Sequence, residues 1–378
     1  MPSSDKSNPE EIRSINNHGH GGQLKKAILE YDIPLNEWID LSTGINPTAY
    51  PLQNVPKECW QRLPETNDGL ETAAKDYYGS EYLLPVSGSQ EAIQKLPLLF
   101  SKPLTVGIVT PAYHSHQQAW ENAGHKVVLI PSDDIQNSLF SLDVLLIVNP
   151  TNPSCHHYKR EKLLKWHQTL ASQNSLLIID EAFIDCTPEQ SLISETPLSG
   201  LIVLRSIGKF FGLAGVRLGF VWAEADILST LSKLQDDWSV SHPARWAGRL
   251  ALEDKTWQEQ QRGLLKPLSE RLNKLLDQFL IKYNIEKEHK SGGVSLDSSS
   301  EVSILYPVGN TCLFAYFEHE DSCLIHEKLA KQGILCRLFI ENNNQNNALR
   351  FGLPANEDEW QRLQHALDLI IEESILGD

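Results

Sequence analysis

The chain has 378 residues, of which 41% are hydrophobic, with 9 Trp and 22 Gly; this composition indicates a globular protein with a large core. Its net charge of -16 argues against a general nucleic-acid or anionic-membrane binder, because those partners require a basic surface. The N-terminus has no apolar signal core, no apolar run approaches the roughly 18 residues of a membrane span, and the six cysteines form no CxxC pair. We therefore expect a cytoplasmic protein with reduced thiols and with no nucleic-acid or membrane partner.

The N-terminal part of the chain combines a polar segment with a glycine-rich one. Residues 1–17 predict a flexible segment, and HGHGG follows at residues 18–22. Histidines at this spacing can bind metal, but no carboxylate or cysteine stands at ligand spacing, so we predict no metal site. A close approach of the glycine backbone to a ligand is the favoured interpretation. Gln23–Tyr31 is amphipathic, and Trp38–Asn46 predicts a short strand that runs into a turn.

A turn of small residues precedes a predicted helix. Thr66–Tyr78 reads as a helix that ends at Gly79, and Tyr82–Val86 then leads into SGSQEAI at residues 87–93. Free backbone N–H groups and the positive end of the helix dipole at such a turn favour an anion. The same residues also make an ordinary helix cap.

Strands and helices then alternate along the chain. The predicted strands are Leu104–Thr110, Lys126–Ile130, Val144–Val148, Ser175–Ile179 and Leu201–Leu204, with helices at His114–Gly124 and Lys159–Gln173. This alternation of strands and helices predicts an α/β domain with a largely parallel sheet. Ligands bind at the carboxyl ends of such strands, and the residues that follow strands closely are Tyr113, Asn152, Asp180 and Lys209. All four could reach one crevice.

The stretch Leu201–Phe220 carries the clearest chemistry. Lys209 stands among aromatic and glycine residues just beyond a buried strand. Desolvation would lower the pKa of its amine and leave it free to attack an aldehyde. Ser206 and Arg217 supply a hydroxyl and a guanidinium, which suit a phosphate. The alternative is a buried strand followed by a positively charged helix start.

The C-terminal part predicts a smaller α+β lobe. Beyond Phe220 the chain turns helical, in Ala223–Trp238 and Pro243–Leu280, and a Ser/Gly-rich loop follows at Ser291–Ser303. A second alternation comprises strands at Thr311–Phe317, Gly333–Leu338 and Leu349–Leu353 and helices at Cys323–Gln332 and Asp358–Glu373.

Taken together, these motifs resemble those of the fold-type I pyridoxal-phosphate enzymes of the class I/II aminotransferase-like group. The shared motifs are SGSQEAI, PAYHSH, NPTNP, DEAF and RSIGKFFGLAGVRLGF, in that order. Within the group the chain is most similar to the threonine-phosphate decarboxylases, on HGGQ, WIDLSTGINP, DEAFIDCTPEQSL and RFGLP. The resemblance implies a large α/β domain at residues 48–260, a discontinuous small α+β domain at residues 18–47 and 261–378, and a homodimer.

The resemblance also implies roles for individual residues around pyridoxal 5'-phosphate. Lys209 would bind the cofactor covalently, Asp180 would keep its pyridine nitrogen protonated, and Asn152 would bond its ring hydroxyl. Tyr113 would stack on the ring, although an ordinary core tyrosine is the alternative. The predicted holders of the cofactor phosphate are Gly88, Ser89, Gln90, Ser206 and Arg217.

The substrate implied by the resemblance is a small phosphorylated amino acid. Arg350 would bind its carboxylate and Arg337 its phosphate, with ordinary surface charges as the alternative for both. In the family, the segments that carry His20 and Asn46 line the entrance to the substrate-binding site.

Three features depart from the pattern of the relatives. Phe183 replaces a tyrosine that bonds the ring hydroxyl, and Leu63 replaces a tyrosine that reaches the neighbouring subunit in the histidinol-phosphate relatives. Ser154-Cys155 replaces a Thr-Gly pair, which affects only the local turn.

The implied reaction is decarboxylation of O-phospho-L-threonine to (R)-1-aminopropan-2-ol O-phosphate in cobalamin biosynthesis. The reaction type follows from the resemblance alone. The sequence does not show which bond of the substrate Cα would stand perpendicular to the cofactor ring. A histidinol-phosphate-type aminotransferase on the same site is the first alternative. A cofactor-free binding protein on the same fold is the second.

Overall fold

The computed structural model describes residues 21–291, 308–340 and 347–376. Its strands are β1 Ile39–Asp40, β2 Leu83–Val86, β3 Thr105–Thr110, β4 Lys126–Pro131, β5 Val144–Val148, β6 Leu176–Asp180, β7 Leu201–Ser206, β8 Gly219–Trp222, β9 Gly309–Asn310, β10 Phe314–Glu318, β11 Ile334–Leu335, β12 Arg337–Phe339 and β13 Ala348–Gly352. Its α-helices are α1 Leu24–Tyr31, α2 Lys57–Gln61, α3 Leu70–Tyr78, α4 Ser89–Lys95, α5 Ser115–Asn122, α6 Ile135–Ser138, α7 Arg160–Ala171, α8 Ala225–Ser232, α9 His242–Glu253, α10 Lys255–Ser291, α11 Ser322–Lys331 and α12 Glu357–Leu376. Short 3₁₀ turns lie at Leu35–Glu37, Leu96–Leu99, Ser132–Asp134, Leu139–Ser141, Ile184–Cys186, Pro188–Gln190 and Ala214–Val216.

A mostly parallel sheet forms the centre of the molecule. Its seven strands follow the order β2-β8-β7-β6-β5-β3-β4. The pairs from β7 to β4 are parallel, and only β8 runs antiparallel to its two neighbours in this sheet. The predicted α/β fold and the predicted strands that precede Lys209 are therefore confirmed.

Helices cover both faces of the central sheet. Successive residues of a strand point to opposite faces, and here the two sets pack into separate clusters. One cluster joins Leu145 and Val203 to Trp166 of α7. The other joins Leu146 to Trp120 of α5. Burial on both faces explains why β5, β6 and β7 read as continuous apolar runs instead of alternating ones.

Strand β8 was not predicted from the sequence. The sequence indicated helix beyond Phe220, whereas Gly219–Trp222 is a fully buried strand inserted between β2 and β7. Four apolar residues give no periodicity that separates a buried strand from a buried helix. The helices predicted beyond it also differ, because Ala223–Trp238 contains only α8 and Pro243–Leu280 divides at Asp254 into α9 and α10.

A smaller antiparallel sheet has the order β12-β13-β10-β9, and β1 pairs with β11 in parallel. The predicted strand Gly333–Leu338 divides at Cys336, so that β11 joins β1 while β12 joins β13. The predicted loop Ser291–Ser303 and segment 1–17 lie outside the described residues, except for Ser291 at the end of α10. The predicted domain boundaries stay a prediction.

The prediction of reduced thiols is wrong for two of the six cysteines. Cys186 and Cys312 form a disulfide across a sequence separation of 126. Cys186 ends a 3₁₀ turn after β6, and Cys312 lies between β9 and β10. The bond therefore joins the central sheet's loop region to the small sheet, and no local sequence pattern could reveal that proximity.

Two features are absent from the described residues. No helix in residues 21–291, 308–340 and 347–376 combines the length and apolarity needed to cross a bilayer. Within the same ranges no three His, Cys, Asp or Glu side chains cluster as metal ligands.

Candidate active site

Lys209 lies in the turn that follows β7. Its side chain is partly buried, and its Nζ lies 5.4 Å from the centroid of the Phe183 ring. Burial lowers the pKa of the Lys209 amine to about 8. The positive charges of Arg350 and Arg217 act in the same direction, and the charge of Asp180 opposes them. At mildly alkaline pH a large fraction of this amine is neutral and able to act as a nucleophile.

Asp180 is the last residue of β6, and both of its carboxylate oxygens are held. Its Oδ2 lies 2.9 Å from Nε2 of the buried His116 on α5. Its Oδ1 accepts a hydrogen bond of 3.0 Å from the Ala182 N–H. His116 belongs to the PAYHSH motif, yet no role was predicted for it from the sequence. Its position one turn after Tyr113 in that motif was the available signal.

Arg350 on β13 reaches the segment after β5. Its Nη1 donates to Oδ1 of Asn152, and its Nη2 donates to the Ser42 carbonyl at 2.7 Å. Its Nε is buried and has no partner among the residues that the structure describes. Burial and the neighbouring Arg337 lower the pKa of Arg350 to about 10, so the guanidinium remains charged at neutral pH. A buried charge with a spare donor suits an anionic ligand.

Arg337 stands directly opposite Arg350 in the register of β12 and β13. The two guanidinium carbons lie 5.3 and 5.8 Å from the centroid of the same ring, Phe339. Neither arginine forms an ion pair with a carboxylate in the described part of the chain. Like charges directly opposite each other destabilise a sheet. This unfavourable pair would be relieved by a ligand that carries two anionic groups.

A cavity of about 180 Å³ opens beside Arg337. Ser42 and Lys26 also line it. The surroundings of Arg337 therefore leave room for a small polar group.

The predicted phosphate holders converge around Gly88. A Cβ at this glycine would lie 2.7 Å from Nη2 of Arg217, and the φ of Gly88 is +75°. Gly219 pairs with Ser206 across β7 and β8, and a Cβ on Gly219 would lie 2.7 Å from the Ser89 nitrogen. Gly88, Ser89, Ser206 and Arg217 are thus brought together, and the glycines make the close approach possible.

Tyr113 is tied to the same region. Its hydroxyl donates to Oε1 of Gln90 at 3.2 Å, and its ring centroid lies 6.2 Å from that of His116. These contacts join the segment after β3 to the first turn of α4. Tyr113 and Gln90 therefore lie beside the groups that hold Asp180.

Two predicted substrate residues stand apart from this arrangement. His20 lies outside the described residues. Asn46 is buried, and its side-chain amide donates to the Phe210 carbonyl at 2.7 Å. Its predicted role in substrate binding stays a prediction.

Sequence reasoning also missed a buried ionic cluster next to Asp180. Arg205, buried one residue before the end of β7, donates to Asp185 and to Oε2 of Glu181, the latter at 3.5 Å. Ser191 donates to the same Glu181 oxygen at 2.5 Å. The two acids flank the loop that follows Asp180, so the cluster anchors that loop. The DEAFID motif contained the acids, but nothing local paired them with Arg205.

Comparison with known proteins gives a consistent picture. The family model for class I and II aminotransferases matches residues 39–295. The chain is 43% identical over 348 residues to a threonine-phosphate decarboxylase from Pseudomonas aeruginosa, covering 92% of this chain and 96% of the relative. It is 34% identical over 353 residues to a threonine-phosphate decarboxylase from a Sinorhizobium species, covering 92% and 97%.

Among solved structures, a histidinol-phosphate aminotransferase from Sinorhizobium meliloti in complex with pyridoxal-5'-phosphate aligns with a TM-score of 0.71. The two chains are 17% identical, and the alignment covers 88% of this chain and 90% of the other. At this identity the likeness supports the fold alone.

Proposed function

The chain belongs to the class I and II aminotransferase family, and from this premise we propose that it is a pyridoxal-phosphate-dependent decarboxylase of O-phospho-L-threonine. The product would be (R)-1-aminopropan-2-ol O-phosphate, for use in cobalamin biosynthesis. The observation that carries the proposal is the match to two relatives named threonine-phosphate decarboxylase over 92% of the chain. The paired Arg337 and Arg350 support it, because this substrate carries both a carboxylate and a phosphate.

The residues of the site fit pyridoxal phosphate. Arg217 and the Gly88 turn would hold its phosphate. Gly88 has no Cβ, and a Cβ there would collide with the Arg217 guanidinium. Asp180, held by His116, would face the pyridine nitrogen, and Lys209 would bind the aldehyde carbon. When bound, the cofactor supplies a protonated ring that accepts the electron pair of the broken Cα–carboxylate bond.

The chain's own residues would orient the substrate and move protons. Arg350 would bind the carboxylate of the substrate and Arg337 would bind its phosphate. Holding both ends of the substrate would fix the direction of its Cα bonds. Lys209 would return a proton to Cα after carbon dioxide leaves, since burial holds the pKa of its amine near 8. The roles of these site residues are part of the proposal.

The test is product analysis with purified, cofactor-loaded protein. Incubation with O-phospho-L-threonine should release carbon dioxide and yield 1-aminopropan-2-ol phosphate by mass spectrometry. Lys209→Ala should release none. Formation of glutamate from 2-oxoglutarate and histidinol phosphate, without release of carbon dioxide from phosphothreonine, would instead establish the aminotransferase alternative. A protein with no visible cofactor band after loading would support a cofactor-free binding protein.

We also propose that the protein is a cytoplasmic homodimer with a large domain at residues 48–260 and a discontinuous small domain. Two apolar side chains on and just after α2 support a contact surface there, because Trp60 is 68% exposed and Leu63 is 60% exposed. Leu63 stands where the histidinol-phosphate relatives have a tyrosine that reaches the neighbouring subunit, so that one cross-subunit contact would be lost here. A mass measurement under native conditions that found only monomer would contradict the dimer.

A further inference from the structure

Asn46 bonds to the backbone that carries Lys209. The Asn46 N–H donates to the Lys209 carbonyl at 3.0 Å, and the Asn46 Nδ2 donates to the Phe210 carbonyl at 2.7 Å. Two consecutive carbonyls, starting with that of the lysine, are therefore held by one residue. The residue is only 2% exposed.

The other end of the Asn46 amide is also occupied. Its Oδ1 accepts from the Thr48 N–H at 2.9 Å and from Nε2 of Gln261 at 3.1 Å. These donors require oxygen on that side, and the Phe210 carbonyl requires nitrogen on the other. Gln261, on α10, is itself buried. Both ends of the amide are therefore engaged within the protein, and the amide links the lysine turn to a long helix.

The turn around Lys209 depends on such contacts because it belongs to no helix or strand. β7 ends at Ser206, and the next regular element is the 3₁₀ turn Ala214–Val216. A Cβ on Gly212, whose φ is +67°, would lie 2.9 Å from the Asn46 carbonyl oxygen and 2.6 Å from Ala49 Cα. The segment that begins at Asn46 therefore packs tightly against the lysine turn.

We propose that Asn46 is a positioning residue that fixes the Lys209 backbone against helix α10 through its bond to Gln261. The proposal rests on the proposed function only in taking Lys209 as the reactive lysine. It replaces direct substrate contact as the reason for an asparagine at this position. A displacement of the lysine by about 1 Å would reduce turnover on the order of 100-fold.

The test compares Asn46→Ala, Gln261→Ala and the double variant with Asn284→Ala. Asn284 is a matched control, because it is a buried asparagine that donates to the Leu280 carbonyl at 2.9 Å and also contacts His319. For Asn46→Ala we expect kcat to fall about 10- to 100-fold with KM changed less than about threefold. The loss in the double variant should be smaller than the product of the single losses.

A second measurement does not depend on activity. In the full-length chain freed of cofactor, and checked for folding by thermal unfolding, acylation of Lys209 is followed against pH by peptide mass spectrometry. The midpoint near 8 in the original chain should move upward in Asn46→Ala and Gln261→Ala, because a loosened turn lets water reach the amine. Asn284→Ala should leave it unchanged.

The outcomes separate the possibilities. A raised KM in Asn46→Ala, with the Lys209 midpoint unmoved, would overturn the proposal in favour of substrate contact. A midpoint shift equal to that of Asn284→Ala would reduce Asn46 to a structural residue. If Asn46→Ala does not fold, Gln261→Ala alone decides by the same criteria. Because acylation is measured without substrate, failure of the proposed reaction would leave this result interpretable.

Discussion

At the scale of single residues, the site contains two positive charges that form no ion pair with a carboxylate among the described residues. Arg350 is buried with a spare donor, and Arg337 faces it across the sheet. In a protein without a ligand such a pair only weakens the fold. Under the proposed function, a ligand that carries two anionic groups would offset this cost.

The two arginines should be separable by the ligands they recognise. Arg350→Gln should lower kcat/KM for phosphothreonine about 100-fold, since removal of one partner of a buried charged contact costs about 2–4 kcal/mol. It should alter binding of 1-aminopropan-2-ol phosphate less than about threefold, because that molecule has no carboxylate. Arg337→Gln should weaken both ligands. Inhibition constants measure the contrast, and equal losses for both ligands in both variants would refute the assignment.

Lys209 gives a pH prediction. Its amine is charged below a pKa of about 8 and neutral above it, so cofactor uptake by the cofactor-free chain should accelerate with rising pH and level off above about 8. Absorbance after mixing with pyridoxal phosphate measures the rate. In Arg350→Gln the midpoint should rise, because one of the charges that lowers the pKa is gone. A midpoint near the ordinary lysine value would contradict the buried environment.

At the scale of elements, the site depends on turns and not on the helices themselves. β7, the lysine turn and β8 form one side, and the turn before α4 forms the other. Only glycine lets these backbones approach, since positive φ and the nearby guanidinium exclude a side chain at Gly88.

The turn before α4 can be tested against a matched glycine. Gly88→Ala should lower affinity for pyridoxal phosphate about tenfold or more, because the added Cβ would displace Arg217. Gly79 has nearly the same φ, +76°, but a Cβ added there would meet nothing within 4 Å. Gly79→Ala should therefore lower stability by about 1 kcal/mol through backbone strain while leaving affinity unchanged. Cofactor titration and thermal unfolding report the two effects. Equal affinities in both variants would contradict a phosphate-holding role for the Gly88 turn.

At the scale of the whole molecule, one covalent bond joins the region of the central sheet to the small sheet. Cys186 lies six residues after Asp180, and Cys312 lies just before β10, which neighbours the strand of Arg350. The bond closes a loop of 126 positions. It therefore restrains the part of the chain that carries Asp180 relative to the part that carries Arg350.

Removal of this bond should destabilise the oxidised protein. Under non-reducing conditions Cys312→Ser should lower the free energy of unfolding by about 2–4 kcal/mol, because the open chain gains conformational entropy when unfolded. Cys323→Ser, at an exposed free thiol, is the control and should change little. With a reductant present the original chain should fall to the level of Cys312→Ser. Peptide mapping that found no Cys186–Cys312 link in the oxidised protein would exclude the effect.

The sequence by itself determined the α/β fold and the kinds of residue that the site contains. Strand composition and the alternation of elements are local properties, so Lys209 and Asp180 could be recognised as residues that follow buried strands. Only the tertiary structure decided that His116 contacts Asp180 and that Arg337 lies opposite Arg350. The same holds for the hydrogen bonds from Asn46 to the lysine turn and for the disulfide between Cys186 and Cys312. These contacts join positions far apart in the chain, and they depend on strand order and register, which local periodicity does not encode.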